Sequence, residues 1–256
     1  MNYPELERLI EIVSILRSEN GCQWDREQTH KSLRSNMIEE AYEAVDAIDD
    51  ENIANLREEL GDVLLQVVLH AQIAKDNNEF DIEDVAKELS DKLIHRHPHV
   101  FGDTKVNSTD EILEAWDRLK KEEKINRKSI LDGISKSQSA LMSAQKISKK
   151  VVKVGFEWDS IDSLKNCIKS EYKEFEEAVS SGEYDKMEDE MGDIFFATVN
   201  LARWYKIDAE QALLKANKKF TKRFKTMEEI AKKPLENYSY DEFNNLWKEA
   251  KKLCNN

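Results

Sequence analysis

The sequence has little of what punctuates or cross-links a chain. Seven glycines and three prolines in 256 residues leave few places for turns, while Glu, Lys, Leu, Ala and Ile dominate. That balance favours helices and argues against a turn-rich all-β fold. The three cysteines, Cys22, Cys167 and Cys254, are far apart, odd in number and without metal-ligand spacing. A disulfide framework is excluded and a reducing compartment is expected. Long apolar runs are missing too: the longest, Val63 to Ala74, contains Gln66, His70 and Gln72 and is too short to span a bilayer. The opening residues, Met1 to Glu7, show no basic stretch followed by an apolar one, so a cytoplasmic location is expected. There is no G-x-x-x-x-G-K phosphate loop and no Ser/His/Asp constellation. His95, His97 and His99 are interrupted by Pro98 and include no helical i, i+4 pair, so they read as loop structure in preference to a zinc site. Basic charge is also in deficit, with 52 acidic against 39 basic residues and a formal net charge of -13. This argues against a nucleic-acid backbone or an anionic membrane as the main partner. A nucleotide is not disfavoured, because clustered carboxylates bind phosphate through a metal.

What the sequence does have is an internal repeat. Ile38 to Glu43 precedes Glu58 to Val63, and later Lys169 to Glu174 precedes Asp189 to Ile194. A constant shift of 131 positions carries Glu40 onto Glu171, Glu43 onto Glu174, Glu59 onto Glu190 and Asp62 onto Asp193. The same shift carries Trp116 onto Trp247 and Lys120 onto Lys251, so the register holds over most of a half. Gly21 to Asp25 is echoed by Gly155 to Asp159 at a slightly different shift, as a loop of variable length allows. Two homologous halves meet in the polar stretch from Lys120 to Ser139.

Each half opens its motif with an amphipathic helix. Apolar residues recur at helical spacing in Met37, Ile38, Ala41, Val45 and Ile48, and again in Ile168, Tyr172, Phe175 and Val179. The next helix is more apolar, from Leu60 to Leu69 and from Met191 to Leu201, which predicts burial on several sides. The short polar connectors, Asp49 to Asn52 and Ser180 to Glu183, predict antiparallel αα-hairpins. Four such helices make a bundle, whether from one half, from both, or across a dimer.

The acids lie where the chemistry is expected. On a helix of about 3.6 residues per turn, Glu39 and Glu43 are about 40° apart, and Glu40 and Glu43 about 60° apart. The three share one face, and Glu59 and Asp62 share another on the following helix. A hairpin brings the two sets together. Isolated Glu-Glu pairs on helices are usually solvated or paired with lysine, but Asp62 and Asp193 each sit between a glycine and a long apolar run. Converging carboxylates beside apolar surface require protons or cations as compensation, and a hard divalent cation with oxygen ligands fits.

The pattern E-E-x-x-E on one helix and E-x-x-D on the next resembles the MazG nucleoside triphosphate pyrophosphohydrolases, members of the all-α NTP pyrophosphatase superfamily. Glu39, Glu40, Glu43, Glu59 and Asp62 match it in full, and the likeness extends over nearly the whole chain, including Gly21 to Leu33, His95 to Phe101 and Asp189 to Arg203. The resemblance implies an all-α protein of two tandem MazG-like domains, 1–125 and 126–256, with metal sites of four-helix-bundle type. It also implies hydrolysis of NTP or dNTP to the monophosphate and pyrophosphate in a homodimer, with Mg²⁺ as cofactor and Mn²⁺ as a substitute. By position, Glu171, Glu174, Glu190 and Asp193 hold the metal in the second half, and Glu40, Glu43, Glu59 and Asp62 in the first. Asn217, Lys219, Arg223, Trp247 and Lys251 match the nucleotide-contacting segments. The three cations suit phosphate oxygens, and the indole offers a stacking face.

Two departures stand out. Ser170 replaces the first Glu of the motif in the second half, and Glu88 stands in the first half where Lys219 stands in the second. The family nevertheless points to the second half as the one that turns over. Either Glu171 or Glu174 is expected to accept the proton of the attacking water there, and either Glu39 or Glu40 in the first half. The competing reading is a nucleotide-binding regulatory module that does not hydrolyse and acts through dimer contacts, which Ser170 favours. A helical adaptor with solvated acids is a third.

Overall fold

A computed structural model describes residues 2–104, 108–122 and 128–254. It divides into two compact units, Met1–Ile125 and Asn126–Asn256. The junction expected at 125/126 lies outside the described residues. Among the described residues the secondary structure is helical, without strands, so the fold is all-α.

The first unit consists of α1 (Pro4–Arg17), α2 (Gln23–Glu27), α3 (Arg34–Asp49), α4 (Ile53–Asp76), α5 (Ile82–Arg96), α6 (Pro98–Phe101) and α7 (Thr109–Glu122). The second consists of α8 (Ala140–Val152), α9 (Ile161–Ser181), α10 (Tyr184–Trp204), α11 (Ala209–Ile230), a 3-10 turn at Leu235–Asn237, and α12 (Tyr240–Cys254). The repeat is thus structural: α9 and α10 reproduce α3 and α4, and α11 and α12 reproduce α5 and α7.

Both long hairpins form through short turns with one residue in the left-handed region. In the second unit that residue is Gly182, φ 73°, where the missing Cβ removes the steric penalty. At the matching place in the first unit it is Glu51, φ 53°, which bears that penalty. Asn52 then caps α4 by accepting from the Asn55 amide at 3.2 Å.

The core of the first unit lies where α1 crosses α4, with Val13, Leu33, Val68, Leu69 and Ile73 buried together. In the second unit α8 packs on α10 and α11 through polar contacts as well: Ser148 Oγ donates to Asn200 Oδ1 at 2.5 Å, and Gln145 bridges the turn into α11, donating to Ile207 O and accepting from Ala209 N. These buried groups are satisfied, so they specify the packing without leaving an orphan polar atom. A separate cluster of Met227, Leu246 and Ala250 joins α11 to α12.

The helical periodicity expected of α3 and α9 is present, but the side turned inward is different. On α3 and α9 the buried residues are Ala44, Ala47, Leu164 and Ala178; of the expected stripe Val45, Ile168 and Phe175 are half-buried, while Met37, Ile38, Ile48, Tyr172 and Val179 are exposed, as is Tyr42. The expected burial of α4 and α10 on several sides is likewise incomplete, since Leu60, Leu64, Phe195 and Phe196 remain exposed. Alanines allow close approach within each hairpin. Several larger apolar residues, Ile38, Ile48, Tyr172 and Val179 among them, are left exposed.

Candidate metal centre

Each hairpin delivers three carboxylates to one point. In the first unit, ligand oxygens of Glu40 and Glu43 on α3 and Glu59 on α4 lie within 4.8 Å of one another. In the second, Glu171 and Glu174 on α9 and Glu190 on α10 do the same. The separation in sequence explains it: positions three apart on one helix share a face, and the antiparallel partner presents its acid to that face. Asp62 and Asp193 stand one turn further along, outside these groupings; Asp62 is half-buried and Asp193 exposed. Glu39 is exposed beside Glu40.

The electrostatics register this crowding. Glu59 is only 9% exposed, and burial together with the negative charge and hydrogen bond of Glu43 holds its carboxyl above the ordinary range. Burial also raises Glu40, with Asp62, Glu43 and Glu39 adding repulsion. Glu190 is raised by burial first and then by Glu174, Asp193, Glu171 and Asp189. No cationic side chain is among the causes of these shifts, and oxygen donors of this kind suit a small hard cation. The residues therefore fit magnesium.

A stability prediction follows from the sign of these shifts. A carboxyl raised in the folded state keeps a proton that the unfolded chain has released, so the metal-free fold loses stability as pH rises through the region above 4.5. A cation replaces that proton. Magnesium should therefore raise the melting temperature more at about pH 7.5 than at about pH 5, as differential scanning fluorimetry at both values will read.

The residues expected to contact nucleotide lie on the other hairpin of the second unit. Asn217 and Lys219 are exposed on α11 and Arg223 is half-buried there; Trp247 is half-buried and Lys251 exposed on α12. Phe220 lies against Trp247 at 5.2 Å between ring centroids, and Lys251 Nζ lies 5.8 Å from the indole centroid. The indole is therefore already in contact with an aromatic ring and near a cation. In the first unit the matching place is altered, because Glu88 pairs with Lys92 at 3.8 Å, and Lys92 is the residue that corresponds to Arg223.

Several relations escaped sequence reasoning. Ser170 Oγ donates to Glu174 Oε1 at 2.9 Å, and Cys167 Sγ donates to Glu171 Oε1 at 3.4 Å. The signal was available, since each donor precedes its acid by four residues. His30 and His70 stack with ring centroids 5.0 Å apart and Nδ1 atoms 2.7 Å apart, a pairing that no local spacing announces. His97 bonds the Leu93 carbonyl oxygen at the end of α5 and meets the Trp116 ring edge-on.

Two copies of one helical hairpin, each gathering three acids at a point, define a tandem all-α protein with two candidate centres for a hard divalent cation. The MazG nucleotide pyrophosphohydrolase domain matches residues 28–101 and 159–227, and the chain belongs to that family. It is 45% identical over 249 residues to the Thermotoga maritima protein named nucleoside triphosphate pyrophosphohydrolase/pyrophosphatase MazG, covering 96% of this chain and 95% of that one. It is 42% identical to the nucleoside triphosphate pyrophosphohydrolase of Escherichia coli K12, covering 97% of each. A solved MazG-related protein from Thermotoga maritima is 32% identical, covering 45% of this chain and 98% of its own, with a TM-score of 0.40.

Proposed function

We propose that this chain hydrolyses ribo- and deoxyribonucleoside triphosphates to the monophosphate and pyrophosphate with Mg²⁺, for which Mn²⁺ substitutes, and that the second unit carries the turnover. The observation that carries this reading is the three-carboxylate grouping built twice at the same register. Glu171, Glu174, Glu190 and Asp193 would hold the metal in the second domain, and Glu40, Glu43, Glu59 and Asp62 in the first, with domain limits at 1–125 and 126–256. When bound, magnesium neutralises triphosphate charge and makes water more acidic. The chain's own residues do the rest. Lys219, Arg223 and Lys251 bind phosphate oxygens by charge-assisted hydrogen bonds, Asn217 and Trp247 hold the nucleoside, and Glu171 or Glu174 accepts the proton of the attacking water. Glu39 or Glu40 would play that part in the first unit.

The first unit supports a second reading, binding without hydrolysis. Its carboxylates are gathered as in the second, but the cation retained on α5, Lys92, is engaged by Glu88.

The working form in this reading is a homodimer. Exposed apolar residues on α3, α4, α9 and α10 require a cover, and Gly61 and Gly192 have open space where a Cβ would stand. A mid-helix glycine costs about 1 kcal/mol relative to alanine, which a close approach by a second chain or a nucleotide would offset. Among the described residues no helix is long and apolar enough to cross a membrane, and the three cysteines are free, in keeping with a cytoplasmic enzyme. Incubation with dNTPs and Mg²⁺ should release pyrophosphate. Calorimetric binding of a non-hydrolysable triphosphate without any turnover of dNTPs would instead establish the regulatory module.

A further inference from the structure

The second centre differs from the first in what surrounds its acids, and the difference is chemical. On α3, the positions four residues before Glu40 and Glu43 are Asn36 and Glu39; on α9, the positions four before Glu171 and Glu174 are Cys167 and Ser170. Glu39 is an acceptor only when ionised, so it adds charge to a crowded site and has no proton to donate. Ser170 adds no charge and carries one donor. Its Oγ donates to Glu174 Oε1 at 2.9 Å, and one turn earlier Cys167 Sγ donates to Glu171 Oε1 at 3.4 Å. Both acids that α9 contributes to the grouping therefore have one oxygen held by a side chain of the same helix, with the second carboxylate oxygen left for another partner.

We propose that Ser170 is a positioning residue of the second centre: its hydroxyl fixes the rotamer of Glu174 so that the carboxylate is set for a divalent cation before the cation arrives. The replacement of the motif's first Glu thus trades a fifth negative charge for preorganisation. This rests on the reading of Glu171, Glu174 and Glu190 as metal ligands. Donors that orient ligating side chains typically matter by about 10-fold to 100-fold in metal affinity when removed. An exposed, neutral donor belongs at the lower end of that range.

The test is Mn²⁺ affinity, read by electron paramagnetic resonance of free Mn²⁺ on the full chain carrying Glu59→Gln, which confines binding to the second centre. In that background Glu190→Gln should abolish binding; if the parent chain itself binds no Mn²⁺, the metal reading fails and the role of Ser170 falls with it. Given binding by the parent, Ser170→Ala should raise the dissociation constant about tenfold, while Ser170→Thr, which keeps the hydroxyl, should stay within about twofold. Unchanged affinity in Ser170→Ala would overturn the positioning role and leave the metal reading standing. So would a loss in Ser170→Thr as large as in Ser170→Ala, because the hydroxyl would then not be what acts. Thermal melts of the metal-free variants guard against misfolding, and the exposed position of Ser170 predicts no change there.

Discussion

Asp193→Asn is expected to lower kcat/KM for triphosphate hydrolysis by about 100-fold or more, whereas Asp62→Asn should keep more than about half of the wild-type rate. The amide preserves shape and removes the charge that attracts the cation. The two aspartates occupy the same place in the repeat, so a difference between them reports the division of labour between units and not the chemistry of the substitution. The second unit presents Lys219 on the helix where the first presents Glu88, and the Glu88–Lys92 pair occupies the first unit's matching cation. An acid at Glu88's place repels a triphosphate that Lys219's charge would attract, so a metal held in the first unit meets a less favourable field for the substrate. Folding is separable from catalysis here, because Asp193 is exposed and belongs to a set of mutually repelling acids, so its neutralisation should leave the melting temperature of the metal-free protein unchanged or raised. Full activity in Asp193→Asn with loss in Asp62→Asn would assign turnover to the first unit. Comparable partial losses would assign it to both.

Phe195→Asp should convert a dimer into a monomer. The side chain is 59% exposed on α10 beside Phe196, which is also exposed, and the α9 residues Tyr172 and Val179 are uncovered as well. Burying a side chain of that size stabilises by about 1.5–3 kcal/mol, and a twofold interface counts each position twice. The substitution should thus weaken association by about 3 kcal/mol or more, a factor of about 100 in the dissociation constant. Light scattering at micromolar concentration should give twice the chain mass for the wild type and the single chain mass for the variant. A monomeric wild type would remove the dimer from the proposal.

The helices were legible because their signals are local. Few breakers, the 3.6-residue spacing and the polar connectors at 49–52 and 180–183 are properties of short windows, and the hairpins follow from them. The grouping of Glu40, Glu43 and Glu59 was legible for a related reason, since an antiparallel hairpin with a short turn has little freedom of register. The repeat strengthened both readings, because the same shift had to satisfy two copies. What the sequence could not indicate was which side of α3 and α9 faces inward. Periodicity identifies an apolar stripe but not its partner, and here Ala44, Ala47 and Ala178 line the hairpin while Ile38, Ile48 and Val179 face out. The glycine next to Asp193 and the apolar run after it suggested a buried acid, yet the side chain is exposed because α10 presents it on an uncovered face. Ser170 read only as a departure from the motif when residue type alone was compared; its hydrogen bond to Glu174 becomes visible once the helix fixes the i, i+4 geometry.

Phosphorus NMR of the purified wild-type chain incubated with a deoxynucleoside triphosphate and Mg²⁺ measures the central claim directly, because monophosphate, pyrophosphate, diphosphate and orthophosphate give separate signals. The expected result is monophosphate and pyrophosphate appearing in equal amounts, with no signal from either in the presence of excess EDTA. Diphosphate with orthophosphate, or an unchanged triphosphate spectrum under conditions where calorimetry shows the nucleotide bound, would contradict it.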